Sequence, residues 1–443
     1  MMHSLIKNLF WGFLVTGSFS CSAPAYLGSV KIAENNGERF GPSEPSIAVS
    51  PVNPDIVVAG SILDRVHYST DGGRSFSHSR LSSPLGVYGD PVVWVDHEGR
   101  FYYLHLGSPE AGGRQSKRWL ESLVIHQSAD GGKTWDQGSA IGTNPPKNQD
   151  KPWISSNPNT GELVVTWTEF DKYGSDKETD RSRIRFSISK DQGRTWTQAM
   201  TISDHEGNCL DDDLTPEGAV PGFGPSNEIY VCWAYDQKLW FDKSTDGGKS
   251  WLTADKALAD QPGGWSLDVP GVGRANGMPV VATDLSRGKY RGSIYICWAD
   301  LKNGEKDMDI WLLSSRDGGN SWSDRIRVNQ DKTPSIQFFP WLSVDQSTGH
   351  LYLVYYDRSR HNDLRTDVVV AYSKNGGKSF KELRLDGNTF TPPGKEAFFG
   401  DYNNISAAKG VVRPVWTSYL DKKLSIWTAL IETKSQKRQK ARS

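Results

Sequence analysis

Acidic side chains recur in this chain where short apolar segments begin. Glu44 opens EPSIAV, Asp90 opens DPVVWV, Asp150 stands before Lys151 of KPWISS, and Asp401 and Tyr402 open DYNNIS. Glu217, Asn276 and Phe339 hold comparable places. A second set follows other apolar segments: Asp64-Arg65, Glu169, Asp236, Asp300 and Asp357-Arg358, with Trp167, Trp233 and Trp298 close by. Paired carboxyl groups perform glycoside hydrolysis, one protonating the leaving oxygen while the other attacks or activates water. Aromatic rings add flat apolar faces on which a sugar ring can stack. Any single Asp at a strand end also caps turns and binds backbone amides, so the argument rests on the set. Other chemistries find no footing. Histidines are scattered with no Ser-His-Asp order, and Cys209, Cys232 and Cys297 have no zinc-ligand spacing.

The elements that position these residues are repeats. STDGGRSF begins at Ser69, SADGGKTW at Ser128, SKDQGRTW at Ser189, STDGGKSW at Ser244, SRDGGNSW at Ser315 and SKNGGKSF at Ser373, with starts 59, 61, 55, 71 and 58 residues apart. A unit of that length indicates a propeller blade or a solenoid coil. Each copy reads as a hairpin turn. Its acid (Asp71, Asp130, Asp191, Asp246, Asp317, with Asn375 in the sixth) can fold back onto backbone amides. The second glycine permits positive φ, and the closing aromatic packs between neighbouring sheets. These six residues are therefore structural rather than catalytic.

Each turn follows an apolar strand, with a second and a third strand upstream and a fourth after the turn, which makes a four-stranded antiparallel blade. A seventh unit after the sixth turn has three strands and no such turn, and SVKIAENNG (Ser29 to Gly37) is the missing fourth. The expected fold is all-β: a seven-bladed β-propeller closed by this N-terminal strand, which removes exposed sheet edges. A six-bladed ring is the alternative.

Composition agrees. Hydrophobic residues make up 36%, with 44 Gly, 23 Pro and 17 Trp, which suits many small sheets better than one large core. The 51 basic and 52 acidic side chains nearly cancel and argue against a nucleic-acid partner. Lys7, an apolar run from Leu9 to Val15 and small residues after it read as a signal peptide over residues 1–25. That run is too short to span a bilayer, and no later segment is apolar enough to do so. Cys21 loosely fits a lipoprotein signal, although Ser18 stands where a lipobox has Leu. The expectation is a secreted or cell-surface protein, either lipid-anchored at Cys21 or cleaved near Ala23 or Ala25. The propeller then covers residues 26–433, and residues 434–443 form a basic disordered tail.

The six repeats resemble the Asp-box, or BNR-repeat, proteins of the sialidase-like superfamily, and the resemblance covers nearly the whole mature chain. It implies an active face opposite the repeat turns. The loops entering the innermost strands and leaving the second strands would then line a central funnel. Glu44, Asp90, Asp150, Asp401 and Tyr402 are the catalytic candidates there. Sialidases of the superfamily carry an Arg-Ile-Pro motif opening the first innermost strand, where this chain reads Ser43-Glu44-Pro45. The missing arginine counts against a true sialidase. Arg65, Arg274 and Arg358 are candidates to rebuild an anion clamp, and Trp167 to stack on substrate. Asp211-Asp212-Asp213 reads as a solvated charge run.

Two functional readings remain open: a secreted glycoside hydrolase of sialidase-like type, and a non-catalytic surface propeller that binds glycan or protein. Either takes a glycan or glycoconjugate as partner and is expected to act as a monomer. No cofactor is called for. Ca²⁺ could sit in the acidic funnel, but no compact ligand loop identifies it.

Overall fold

The computed structural model describes residues 23–110 and 113–433. Cys21, most of the signal segment and the basic tail lie outside the described residues. Seven four-stranded antiparallel sheets form the blades of a propeller, and a two-stranded hairpin is inserted between the fourth and fifth. The innermost strands are Ser46–Val49, Gly89–Val95, Asn148–Ser156, Glu217–Phe223, Val280–Thr283, Gln337–Asp345 and Asn404–Ala408. In each of the first six blades the strands follow chain order from the axis outward. The seventh takes its outer strand from the N-terminus, Ala25–Glu34, which pairs antiparallel with Lys423–Glu432. The ring thus closes as expected, with the strand starting and ending a few residues earlier than Ser29 to Gly37.

The repeat turns join the third and fourth strands, and their geometry explains the motif. Ser69 Oγ accepts from Gly73 N (2.8 Å) and donates to Asp71 Oδ1 (2.7 Å). Asp71 then accepts from the amides of Arg74 (2.9 Å) and Ser75 (3.0 Å) and from Ser75 Oγ (2.6 Å). Burial pushes the Asp71 carboxyl up, but these donors outweigh it and hold it at about 2. The same bonds recur around Asp130, Asp191, Asp246 and Asp317, and Asn375 keeps the bonds to Ser373 and Ser379. Glycine is required at Gly132, where φ is +85° and a Cβ would stand 2.7 Å from Val58 of the preceding blade. The closing aromatics pack edge-on against neighbouring blades, Trp251 on Phe186 (5.0 Å) and Trp322 on Phe241 (5.1 Å).

The core is the set of interfaces between blades, built from alternating strand residues such as Val164, Ile184, Phe223 and Val231. Cys232 and Cys297 are buried at equivalent strand positions, and Cys209 is buried too. All three are free thiols used as packing residues. No helix of the described residues is long and apolar enough to cross a membrane.

Candidate functional site

Each blade starts its innermost strand at the end of the ring opposite the repeat turns. Glu44 (φ 50°), Asp90 (φ 49°), Lys151 (φ 47°) and Phe339 (φ 53°) all have left-handed backbone there, and each precedes a proline. Proline disfavours the α region for the residue before it, and non-glycine residues at positive φ are uncommon. The inner strands of the second, third, fourth and sixth blades also shift register just there, between Gly89 and Val92, Asp150 and Trp153, Glu217 and Val220, and Phe338 and Trp341. A bulge re-aims a side chain, so the same strained turn, repeated around the axis, presents one residue per blade to the funnel. In the fourth blade that place falls to Gly218 (φ +71°), whose Cβ would lie 2.6 Å from Met278.

This pattern corrects one assignment. Lys151, not Asp150, is the counterpart of Glu44 and Asp90. Lys151 Nζ donates to Asp401 Oδ2 (2.8 Å) and Asp90 Oδ2 (3.2 Å), and all three side chains are nearly buried. Sharing one ammonium places the two carboxylates within about 6 Å of each other, close to the spacing of paired hydrolytic acids. Asp401 also accepts from Arg274 Nη2 (3.0 Å), and Arg274 Nη1 reaches Asp211 Oδ2 (2.6 Å). Tyr173 OH donates to the same Asp211 oxygen (2.5 Å). A continuous chain of charges, Asp90–Lys151–Asp401–Arg274–Asp211–Tyr173, therefore crosses the mouth.

Two insertions build the far half of this chain. The hairpin of Ser266–Val269 and Gly273–Asn276 carries Arg274, which stacks on Trp265 (5.5 Å). It accounts for the long 71-residue interval between the fourth and fifth repeat turns. The loop before Glu217 carries Asp211, so the acidic triplet is not a solvated run. Asp211 is in the ion-pair network, Asp212 binds Asn208 and Leu214, and Asp213 accepts from Ser266 N.

The environment splits the carboxyls into two kinds. Asp401 is pushed up by burial, but Lys151 and Arg274 outweigh it and hold it ionised at about 2. Asp150 is buried, which raises it to about 8 against the opposing pull of Lys151, so it keeps its proton at neutral pH. Glu44 is raised by burial and then by Asp90. Glu217 is raised by burial and then by Asp150, and neither of its carboxyl oxygens has a hydrogen-bond partner among the described residues. Beneath the charged layer, Tyr402 lies against Trp153 (5.3 Å), which packs on Trp341 (4.1 Å). These rings floor the funnel. Tyr402 OH lies 3.4 Å from Pro91 O.

Of the sequence-derived candidates, the structure brings Asp90, Asp401 and Arg274 into one network, with Glu44, Asp150 and Tyr402 packed beside it. Arg65 and Arg358 do not join Arg274. Arg65 pairs with Glu38 and donates to Phe40 O (2.7 Å). Arg358 donates to Pro270 O (2.8 Å) and Thr366 Oγ1 (3.0 Å) and lies over Phe338. Glu38 and backbone carbonyls claim Arg65, and the Thr366 hydroxyl and the Pro270 carbonyl of the inserted hairpin claim Arg358. Trp167 is 0% exposed and donates to Gln149 Oε1 (2.6 Å), so it is a core residue and cannot stack on a ligand. Lys151, Tyr173 and Asp211 were missed as site residues. The X-Pro opening shared by Glu44, Asp90 and Lys151 was the available signal for the lysine. Tyr173 and Asp211 meet only through loop packing.

No protein-family model matches the sequence, and no curated protein matches it. Solved structures do. An ulvan lyase of a new polysaccharide lyase family is 14% identical with a TM-score of 0.54, over 93% of this chain and 99% of that one. A protein of unknown function from Dyadobacter fermentans is 13% identical with a TM-score of 0.51, over 93% and 99%. The NanB sialidase of Streptococcus pneumoniae is 11% identical with a TM-score of 0.50, over 77% and 68%. The chain thus shares its β-propeller fold with a sialidase and a polysaccharide lyase.

Proposed function

We propose that the protein is an exported propeller that acts on glycans at the funnel mouth, with a glycoside hydrolase-type site. The carrying observation is the split among its carboxyls. Asp150 retains a proton at neutral pH while Asp401 is ionised, and pairs of acids pushed apart in this way mark an acid and a charged partner. Asp150, 5% exposed and directly behind the axial Lys151, would be the proton donor to a leaving oxygen. Asp401, held ionised by Lys151 and Arg274, is the partner carboxylate that faces the oxocarbenium-like centre and takes a proton from the water that adds to it. Arg274 and Tyr173 line the approach. The glycan-active proteins of like fold support the substrate class. A second reading, a binding propeller without catalysis, is favoured by the Trp153–Trp341–Tyr402 floor and by the burial of the acids above it.

Hydrolysis of a panel of fluorogenic glycosides, including a sialoside, by the wild type and by Asp150→Asn tests the proposal. Asp150 is already neutral, so the amide preserves charge and shape and removes the transferable proton. Release by the wild type that falls at least about a hundredfold in the variant is expected of a general acid. Glycan binding without release by either protein selects the second reading.

A further inference from the structure

A second cavity lies at the other end of the axis. It occupies about 540 Å³ between the inner strands and is lined mainly by apolar side chains such as Val95, Val220, Leu342, Trp94, Trp153 and Trp341. It extends to the turns between first and second strands, including Asn159, Ser347 and Lys409. Those turns share a face with the repeat turns, because Gly72 N of the first repeat donates to Asp55 O of the adjoining strand turn (2.8 Å). At the inner end, Trp153 and Trp341 pack at 4.1 Å and line both this cavity and a void of about 20 Å³ beside Lys151 and Asp401. The channel is therefore a blind apolar pocket, walled off from the charged mouth and opening on the opposite face.

Its rim has a sign. Lys409 and Arg291 are exposed there and enter no ion pair with a carboxylate among the described residues. Lys409 donates to Val52 O (2.7 Å), and Arg291 donates to Ser286 O (3.1 Å). The two rim acids match the two cations in number but are buried, Asp96 3% and Asp345 0% exposed, with their oxygens turned into their own turns, so the cations are the charged groups a ligand at the opening meets. Asp96 accepts from Glu98 N, Arg100 N and Tyr102 OH, and Asp345 accepts from Ser347 and Gly410 N. An apolar hole of several hundred cubic ångströms with a few polar groups is the usual form of a small-molecule site. Cations at the opening select an anionic head.

We infer that this channel binds a single alkyl-chain anion of the fatty-carboxylate type, its chain against the Trp153–Trp341 floor and its head at Lys409 and Arg291. From Trp341 in the floor to the strand end at Asp345 the backbone runs about 13 Å and the turn beyond adds a few ångströms, which takes an extended chain of roughly twelve carbons.

The test is calorimetric titration of the whole protein with straight-chain carboxylates from hexanoate to hexadecanoate, each below its micelle-forming concentration. Quenching of tryptophan fluorescence is followed in parallel. Affinity should rise about fourfold per added methylene, level off near twelve carbons, and end at one molecule per chain. Lys409→Glu should weaken binding about tenfold. Ala282→Trp, with Ser343→Trp as a second filling variant, should abolish it while the thermal melt shows a folded propeller. Equal binding of alkyltrimethylammonium ions overturns the anionic assignment. Binding that survives both filling variants, shows no chain-length limit, or is absent at every length overturns the site.

Discussion

Replacing Lys151 with methionine isolates what the mouth's central cation does. The side chain has about the same length and the residue keeps its left-handed backbone, so the strain at φ 47° is common to both proteins. What changes is that Asp90 and Asp401, both nearly buried, face each other without the ammonium that joins them at 3.2 and 2.8 Å. Leaving a buried charge without its partner costs about 3–5 kcal/mol. Arg274 remains on Asp401, so the lower half of that range is expected. The pH dependence identifies the cause. In the wild type the Asp401 carboxyl lies at about 2, below its unfolded value. Its contribution is present above pH ~4 and lost as pH falls through about 2. In the variant Asp401 keeps only Arg274 and protonates at higher pH, which relieves its repulsion with Asp90. Urea unfolding of Lys151→Met and wild type, followed by tryptophan fluorescence, should therefore show the full deficit at pH 7 and a much smaller one at pH 3. An equal deficit at both pH values would refute the electrostatic account and leave only packing.

Asp150→Asn should behave in the opposite sense. The wild-type carboxyl is raised to about 8, so its neutral form favours folding fully below pH ~4 and that advantage is lost as pH rises through 8. The variant, which does not titrate, should gain on the wild type between pH 4 and 8, and a pH-independent difference in unfolding free energy would contradict the assignment. Trp341→Ala should cost about 3–5 kcal/mol by opening a cavity in the floor, measurable by urea denaturation. Asp71→Ala should cost about 1–2 kcal/mol through the loss of its turn bonds, with Asp71→Asn costing less because the sixth turn already uses Asn375. Thermal melts of the pair measure the difference.

The ring itself was legible because it is local information repeated. Each turn needs a Ser, an Asp and a glycine at set spacing to satisfy its own backbone, and six copies of that requirement, with the unpaired strand at each end, determine seven blades and their closure. The acids at the mouth were legible for the same reason, since each opens a strand. Which acid does what was decided by tertiary contact. Asp150 and Lys151 differ by one position, and the bulge alone decides that the lysine takes the axial place. Arg274, Asp211 and Tyr173 come from a hairpin and two loops far apart in the chain, so their network depends on how insertions fold over the ring. Arg65, Arg358 and Trp167 looked equally available as residue types, yet burial and nearby hydrogen-bond partners commit them elsewhere. A sequence lists charges, but only packing sets the distances and desolvation that make one carboxyl hold its proton and its neighbour lose it.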